Sequence, residues 1–394
     1  MPDQLIINPK QKTFNWNEKN IQNFGIDLSF ADVPEWKRTK HVHRLHPYLG
    51  KFIPQLVEVF LKKYFKEGQT ILDPFLGSGT TLIEANLLNM NSVGIELSEF
   101  SHLIAQVKIQ KYNLELLEKE IIDILQKTKE FSQKIQKNQK SLFENWDFKP
   151  SEYFKTWYHL KAIKEIYFYR SLIPNYKNQD ILKIILSRAA RSARQIPHYD
   201  LARPKKPVKE KYWCIKHKQY CYPIDNAIKF INRYSWDTIK RIKEFNKLRT
   251  NAKMILVQGD ARNIKLPIKK EVDGIFTSPP YLGLIDYHDQ HRYAYDLFNF
   301  QEYPELEIGS PNNGNGNNKK ENYKNDIIAV LKNMKKYMKE GSKIFVVVND
   351  KYNLYPEIAK ECGFKVVDVF YRPVLMRTER DNNKFSESIY YLLN

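Results

Sequence analysis

Three acids stand at or just past the ends of short apolar runs: Asp73 after Thr70–Leu72, Glu96 after Ser92–Ile95, and Asp260 beyond Lys253–Val257. The first opens the segment Asp73-Pro-Phe-Leu-Gly-Ser-Gly-Thr-Thr81. Its glycines allow a tight turn and close approach of a ligand to the backbone, and a following helix offers unpaired N–H groups. No Lys follows the glycines, so this is not a phosphate-binding loop. An acid at position 73 suits a ligand with a positive amino group. A carboxylate at Glu96, about twenty residues on, can accept both ribose hydroxyls. Asp260 is placed to accept an adenine amino hydrogen. The glycines alone fit an ordinary βα turn, but three acids at successive strand ends favour a nucleoside-containing ligand.

The second chemical segment, Thr277-Ser-Pro-Pro-Tyr281, lies roughly two hundred residues further on, also after an apolar run. Its chemistry suits a flat ring bearing an amine. The lone pair of such an amine is delocalised into the ring. A catalyst must hold both amine hydrogens so that the lone pair localises toward an electrophile. Ser278 supplies a hydroxyl and Pro279 a carbonyl, Pro279 and Pro280 stiffen the loop, and Tyr281 offers a ring for stacking. The neighbours Asp286, Tyr287, His288, Asp289 and His291 are candidates to line the same pocket, although each taken singly reads as local hydrogen bonding. Attack through a cysteine thiolate is excluded. Cys214, Cys221 and Cys362 follow Trp213, Tyr220 and Glu361, and none sits in a Pro-Cys loop after a strand.

The elements that must position these residues follow from periodicity. An amphipathic helix is expected from Pro54. Strands are expected at Thr70–Phe75, Ser92–Leu97, Lys253–Val257, Asp273–Thr277, Lys343–Val348, Lys365–Phe370 and Ser388–Leu393. Helices are expected at Thr80–Leu88, Asp326–Met338 and Tyr355–Cys362. The first strand–helix–strand unit spans about thirty residues, which implies a parallel sheet. Trp16 and Trp36 read as anchors of a polar N-terminal stretch. The Gly309–Asn318 run reads as a low-complexity surface loop.

Asp73–Thr81 resembles the S-adenosylmethionine turn of the amino-group DNA methyltransferases, Gly94-Ile-Glu-Leu97 their ribose-binding strand end, and His46-Pro-Tyr-Leu-Gly-Lys-Phe-Ile-Pro54 the helix start that closes over the methionine moiety. Ser278-Pro-Pro-Tyr281 is similar to their acid-or-amide/Ser-Pro-Pro-aromatic loop. The resemblance covers roughly residues 41–110 and 252–394. It implies an α/β, Rossmann-like methyltransferase fold with a mostly parallel seven-stranded sheet, the last strand antiparallel. It also implies catalysis by Ser278, Pro279, Pro280 and Tyr281. Cofactor contacts are implied from His46 and Pro47; from Asp73, Pro74, Phe75, Gly77, Ser78, Gly79 and Thr80; from Glu96 and Leu97; and from Asp260 and Ala261. Because the target amine is out of reach in duplex DNA, the base must be flipped. Family members with Ser in the loop tend to modify cytosine N4, and those with Asp or Asn adenine N6.

The chain accordingly divides into a catalytic part, 1–110 with 252–394, and a helical, basic insertion, 111–251. Residues 188–218 carry ten Lys or Arg against two acids. Arg188, Arg191 and Arg194 recur every three residues, and Arg203, Lys205 and Lys206 follow. With aromatic residues interleaved, this is the expected mix for tracking DNA phosphates. The Lys-rich helix of 114–140 reads equally as scaffold. Cys214, His217 and Cys221 offer three zinc ligands within eight residues. A structural site needs four, and His198 completes it only if the fold brings it there; no metal is expected.

Net charge bears on partners. The 394-residue chain carries +19 with a pI near 9.4, which points to a polyanion. Three cysteines make no disulfide framework, no secretory signal or membrane span is visible, and a cytoplasmic location is expected. The leading expectation is a site-specific duplex-DNA methyltransferase that modifies cytosine N4, with adenine N6 as the alternative. It would work either with a cognate restriction endonuclease or alone. An RNA N-methyltransferase and a non-catalytic DNA-binding subunit are the competing readings.

Overall fold

The computed structural model describes residues 24–25, 27–136, 149–200, 204–268, 271–283, 287–310, 316–374 and 385–394. Trp16, Arg203, Asp286 and residues 311–315 fall outside that set, as do the side chains of Trp36 and Tyr287.

The catalytic part begins with α1 (Pro54–Tyr64), which carries Pro in its first turn where no N–H is needed. It continues through β1 (Thr70–Asp73), α2 (Thr80–Leu87), β2 (Asn91–Glu96) and α3 (Glu99–Ile109). The insertion holds α4 (Leu114–Gln136), α5 (Glu152–Trp157), α6 (Leu160–Leu172) and α7 (Gln179–Ala193), a small hairpin of β3 (Tyr212–Cys214) and β4 (Gln219–Cys221), and α8 (Ile228–Leu248). The chain then returns through β5 (Met254–Gln258), β6 (Val272–Thr277), α9 (Arg292–Phe298), α10 (Gly316–Lys335), β7 (Met338–Val348), α11 (Tyr355–Glu361), β8 (Lys365–Val374) and β9 (Phe385–Leu393).

Seven strands form one sheet in the order β5-β2-β1-β6-β7-β9-β8. The pairs β1–β2, β1–β6, β2–β5 and β6–β7 are parallel, and β9 runs antiparallel between β7 and β8. This is the Rossmann-like order expected. Successive strands leave β1 in opposite directions, to β2 on one side and β6 on the other. A ligand crevice opens at such a reversal, outside the carboxyl ends of the strands.

Both sheet faces are covered, which is why β1, β2 and β6 read as nearly continuous apolar runs. On one face Phe60 of α1 packs with Phe276, Phe345 and Phe370. Phe60 is fully buried, and truncating it to Ala would cost roughly 3–5 kcal/mol. On the other face α10 and α11 bury Ile327, Leu331, Ile358 and Tyr355 against β6 and β7. The insertion is no detached module. Leu117, Ile121, Ile185, Ala189, Ile231 and Ile242 form one continuous core with Phe100, Ile104 and Val107 of α3.

Boundaries differ from expectation at several elements, β8 and β9 being longer than expected among them. β1 stops at Asp73 rather than Phe75, because Pro74 has no N–H for the ladder. β7 begins at Met338, inside the expected helix end, and α10 starts ten residues before its expected start. The helix gains anchorage there from Tyr323, which is buried within an otherwise polar stretch. The β3–β4 hairpin replaces part of a segment expected to be helical.

Candidate active site

The turn after β1 is built by its glycines. Gly77 and Gly79 have φ of +54° and +84°, left-handed values that an L side chain rarely adopts. A Cβ on Gly77 would sit 3.2 Å from the Tyr48 ring, and one on Gly79 3.2 Å from the Ala105 methyl. The loop therefore lies tightly between α3 and the segment preceding α1. From below, the buried Lys108 donates to the Ser78 carbonyl, and burial holds its pKa well below the usual lysine value.

Asp73 sits beneath this turn. Its Oδ2 accepts from Thr81 Oγ1 and its Oδ1 from Thr277 Oγ1, each at 2.6 Å, and the Phe75 N–H adds a third bond at 3.1 Å. Burial pushes its carboxyl up to about 6, against the pull of these hydrogen bonds. Asp73 does not line the cavity above it. Its carboxylate fastens the tip of β1 to the tip of β6.

That cavity holds about 1000 Å³ of space, open solvent at its mouth included. Pro74, Phe75, Gly77, Ser78, Thr80, Glu96, Leu97, Asp260, Ala261, Ser278 and Pro280 all line it. The two signature segments thus share one chamber. His46 and Pro47 do not line it. His46 is buried edge-on against Phe100 and Pro47 is exposed, while the same segment sends Tyr48, Gly50, Lys51 and Phe52 to the wall instead. Gly79 also stays behind the wall, as the N-cap of α2.

Glu96 ends β2 with its carboxylate in the cavity. Oε2 accepts from the Gly77 N–H at 2.7 Å and Oε1 from the Ser98 N–H at 2.9 Å. Burial pushes it up to about 8, although these bonds favour the ionised form. Two outward lone pairs remain for ribose hydroxyls. Asp260 is held by Arg262, whose Nη2 and Nε lie 2.7 Å and 3.0 Å from Oδ2. Arg262 also bonds Asp326 at 2.7 Å and the Leu306 carbonyl at 3.2 Å. It thereby fixes the wall segment Leu306–Ile308 on the same side of the cavity as Asp260. Leu97, Ala261 and Ile308 provide apolar surface, and buried Ser78 Oγ has no partner within the protein. These residues fit an adenosyl cofactor.

The Ser-Pro-Pro-Tyr loop is braced from behind. Tyr323 Oη donates to the Pro280 carbonyl at 3.0 Å and lies 2.9 Å from Tyr355 Oη. Pro279 is buried. Tyr281 packs against the core, and its hydroxyl donates to Glu387 Oε1 at 2.9 Å. Arg372 holds the other Glu387 oxygen at 3.1 Å. Burial, with Glu387 beside it, pushes the Tyr281 phenol well above its usual value. Nearby, His288 lines the cavity and pairs with Glu307 at 2.8 Å, while His291 stacks on Tyr48.

The arginines of α7 behave differently from the expectation of a phosphate track. Arg188 is buried, pairs with Asp237 at 2.7 Å and lies 4.0 Å from the Tyr234 ring centroid. Arg194 is buried against Tyr293, and burial lowers the pKa of Arg191. Their three-residue period marks the face that packs inward, because a helix shows the same spacing for a core face and a surface stripe. Lys205 and Lys206 are exposed. Sequence reading assigned no role to Tyr48, Lys51, Thr277, Arg262, Glu307 or the Glu387–Arg372 pair. Tyr48, Lys51 and Thr277 had a local signal, since they stand inside the two quoted segments, His46–Pro54 and Thr277–Tyr281.

Comparison with known proteins agrees with this geometry. Residues 3–108 match the family model described as DNA methylase (N6_N4_Mtase). The type II methyltransferase M.MjaII of Methanocaldococcus jannaschii is 41% identical, over 97% of this chain and 86% of that protein. M.BsoBI of Geobacillus stearothermophilus is 40% identical over 93 residues, 22% of this chain and 18% of that one. M.MvaI of Kocuria varians is 21% identical over 71% of this chain and 59% of its own length. The chain belongs to the type II DNA methyltransferases of the amino-group (N4/N6) family. Its methyl donor is S-adenosylmethionine and its substrate is DNA. Among the described residues no helix is long and apolar enough to cross a membrane.

Proposed function

We propose that the enzyme methylates the exocyclic amine of a base flipped from duplex DNA at a specific site, and that the base is cytosine, modified at N4. The observation that carries this reading is that Ser278 lines the same cavity as Glu96 and Gly77. The acceptor for the target amine and the residues suited to the cofactor are therefore within one ligand's reach.

Bound S-adenosylmethionine supplies an electrophilic methyl group on a sulfonium. The chain's own task is to hold it and to orient the amine. Glu96 takes the ribose hydroxyls, Asp260 the adenine amine, and the Gly77–Ser78 turn, with Tyr48 and Lys51 opposite, closes on the remainder. Ser278 Oγ and the Pro279 carbonyl accept the two amine hydrogens. Proton order around Tyr281 favours this. Tyr281 gives its hydrogen to Glu387, so its oxygen is left as an acceptor for the Ser278 hydroxyl. The clamp is thereby set before substrate arrives, which is the condition for electrostatic preorganisation.

The exposed lysines of 205–218 support contact with DNA phosphates. A cognate endonuclease and a cytoplasmic setting accord with the type II relatives. Incubation with labelled S-adenosylmethionine and mixed-sequence duplex DNA, then nucleoside digestion and mass spectrometry, tests the proposal. The expected product is N4-methylcytosine. N6-methyladenine alone would overturn the choice of base, preferential labelling of tRNA the choice of polymer, and tight DNA binding without cofactor binding the enzymatic reading.

A further inference from the structure

We propose that His198, Cys214, His217 and Cys221 form a structural zinc site that staples the β3–β4 hairpin to the segment following α7. The ligand atoms of all four lie within 4.8 Å of one another. Cys214 Sγ is 3.9 Å from His198 Nδ1, and Cys221 Sγ is 3.3 Å from His217 Nδ1. Zinc bonds of about 2.3 Å to sulfur and about 2.0–2.1 Å to nitrogen place S and N about 3.6 Å apart across a tetrahedron. The observed separations bracket that edge. Three ligands come from one turn, in which Lys218 adopts φ +51°, and the fourth comes from sixteen residues before Cys214.

The hairpin itself argues for a metal. Each strand is only three residues long, and an isolated two-stranded hairpin is marginal in water. Its aromatic and aliphatic side chains point the wrong way for an apolar core. Trp213, Ile215, Tyr220 and Tyr222 are 54%, 56%, 60% and 71% exposed, whereas Cys214 and Cys221 are buried. Thiols thus occupy the inside where a core would be. A disulfide does not account for them. Both cysteines are free, and they are not opposed across the ladder, where Cys214 faces Gln219 and Cys221 faces Tyr212. A second cluster, His41, His43 and Glu84, lacks this character, since the Lys40 ammonium already lies 2.8 Å from Glu84.

Binding requires both thiols to release their protons to solvent, leaving two thiolates and two neutral imidazoles around one divalent ion. The test uses the full chain, purified under reducing conditions. Elemental analysis after dialysis should give one zinc per chain. Metal-stripped protein titrated with cobalt should develop the d–d and thiolate charge-transfer bands of a tetrahedral S2N2 site, saturating at one equivalent. Cys214→Ser, Cys221→Ser and His198→Ala should abolish both signals, and Cys362→Ser should keep them. Chelator should loosen the hairpin backbone and so speed trypsin cleavage after the exposed Lys211, Lys216 and Lys218. Absence of a cobalt spectrum from reduced, folded protein would overturn the proposal. So would a Cys214–Cys221 disulfide in the protein as isolated, or full zinc occupancy in Cys214→Ser.

Discussion

Thr277 Oγ1 lies 2.6 Å from Asp73 Oδ1, joining two residues 204 positions apart in the chain. One ends the strand that leads into the glycine turn, and the other ends the strand that leads into the Ser-Pro-Pro-Tyr loop. This buried bond continues the β1–β6 ladder to the strand tips and ties the two loops that follow them.

Removing it should loosen both. Thr277→Val keeps the shape but deprives a buried carboxylate of a donor, which costs about 1–3 kcal/mol. Urea unfolding should show that loss. S-adenosylmethionine affinity should fall with it, although Thr277 does not line the cavity.

Ser278→Ala should lower the single-turnover methyl-transfer rate by about a hundredfold, by analogy with loss of one preorganised polar contact, while cofactor affinity measured by calorimetry stays near wild type. Tyr281→Phe should give a smaller fall of the same kind, because Ser278 then loses the acceptor that orients its hydrogen. Equal rates for Tyr281→Phe and wild type would remove Tyr281 from the clamp as drawn.

Glu96→Gln should weaken S-adenosylmethionine binding by about 10–100-fold. The substitution also carries a pH signature. Burial raises the folded-state carboxyls of Glu96, Glu84 and Asp73 to about 8, about 7 and about 6, above ordinary values of 4.5, 4.5 and 3.8. Between those limits these three carboxyls bind more protons in the folded chain, while buried His41, His43 and His46, held below their ordinary value, act in the opposite sense up to about pH 6.5. The carboxyl contribution, present at low pH, is lost as pH rises toward 8. Melting temperature should fall from pH 7 to 8, where the histidines are neutral in both states, and Glu96→Gln should flatten that slope.

Arg188→Ala should act on stability, not on DNA. Breaking its buried pair with Asp237 should cost about 3–5 kcal/mol. The double variant Lys205→Ala with Lys206→Ala should leave the melting temperature unchanged and reduce the salt slope of DNA binding by about 2. Filter binding over a salt series, with thermal denaturation alongside, separates the two.

Much of the fold and of the cavity wall was legible in the sequence. Pro, Gly and acids at the ends of apolar runs mark β1, β2 and β6 and their turns, because the backbone geometry there restricts residue type locally. The seven strands, the parallel order and eleven lining residues from Pro74 to Pro280 follow from those marks and from the family resemblance. What the tertiary structure alone decided are matters of direction and partnership. Asp73 points down to Thr81 and Thr277, and Tyr48 replaces His46 at the wall. The arginines of α7 turn inward, and His198 meets two cysteines and a second histidine. A side chain's neighbours across hundreds of residues depend on how helices and sheet pack, and no local pattern encodes which face of a helix the rest of the protein will cover.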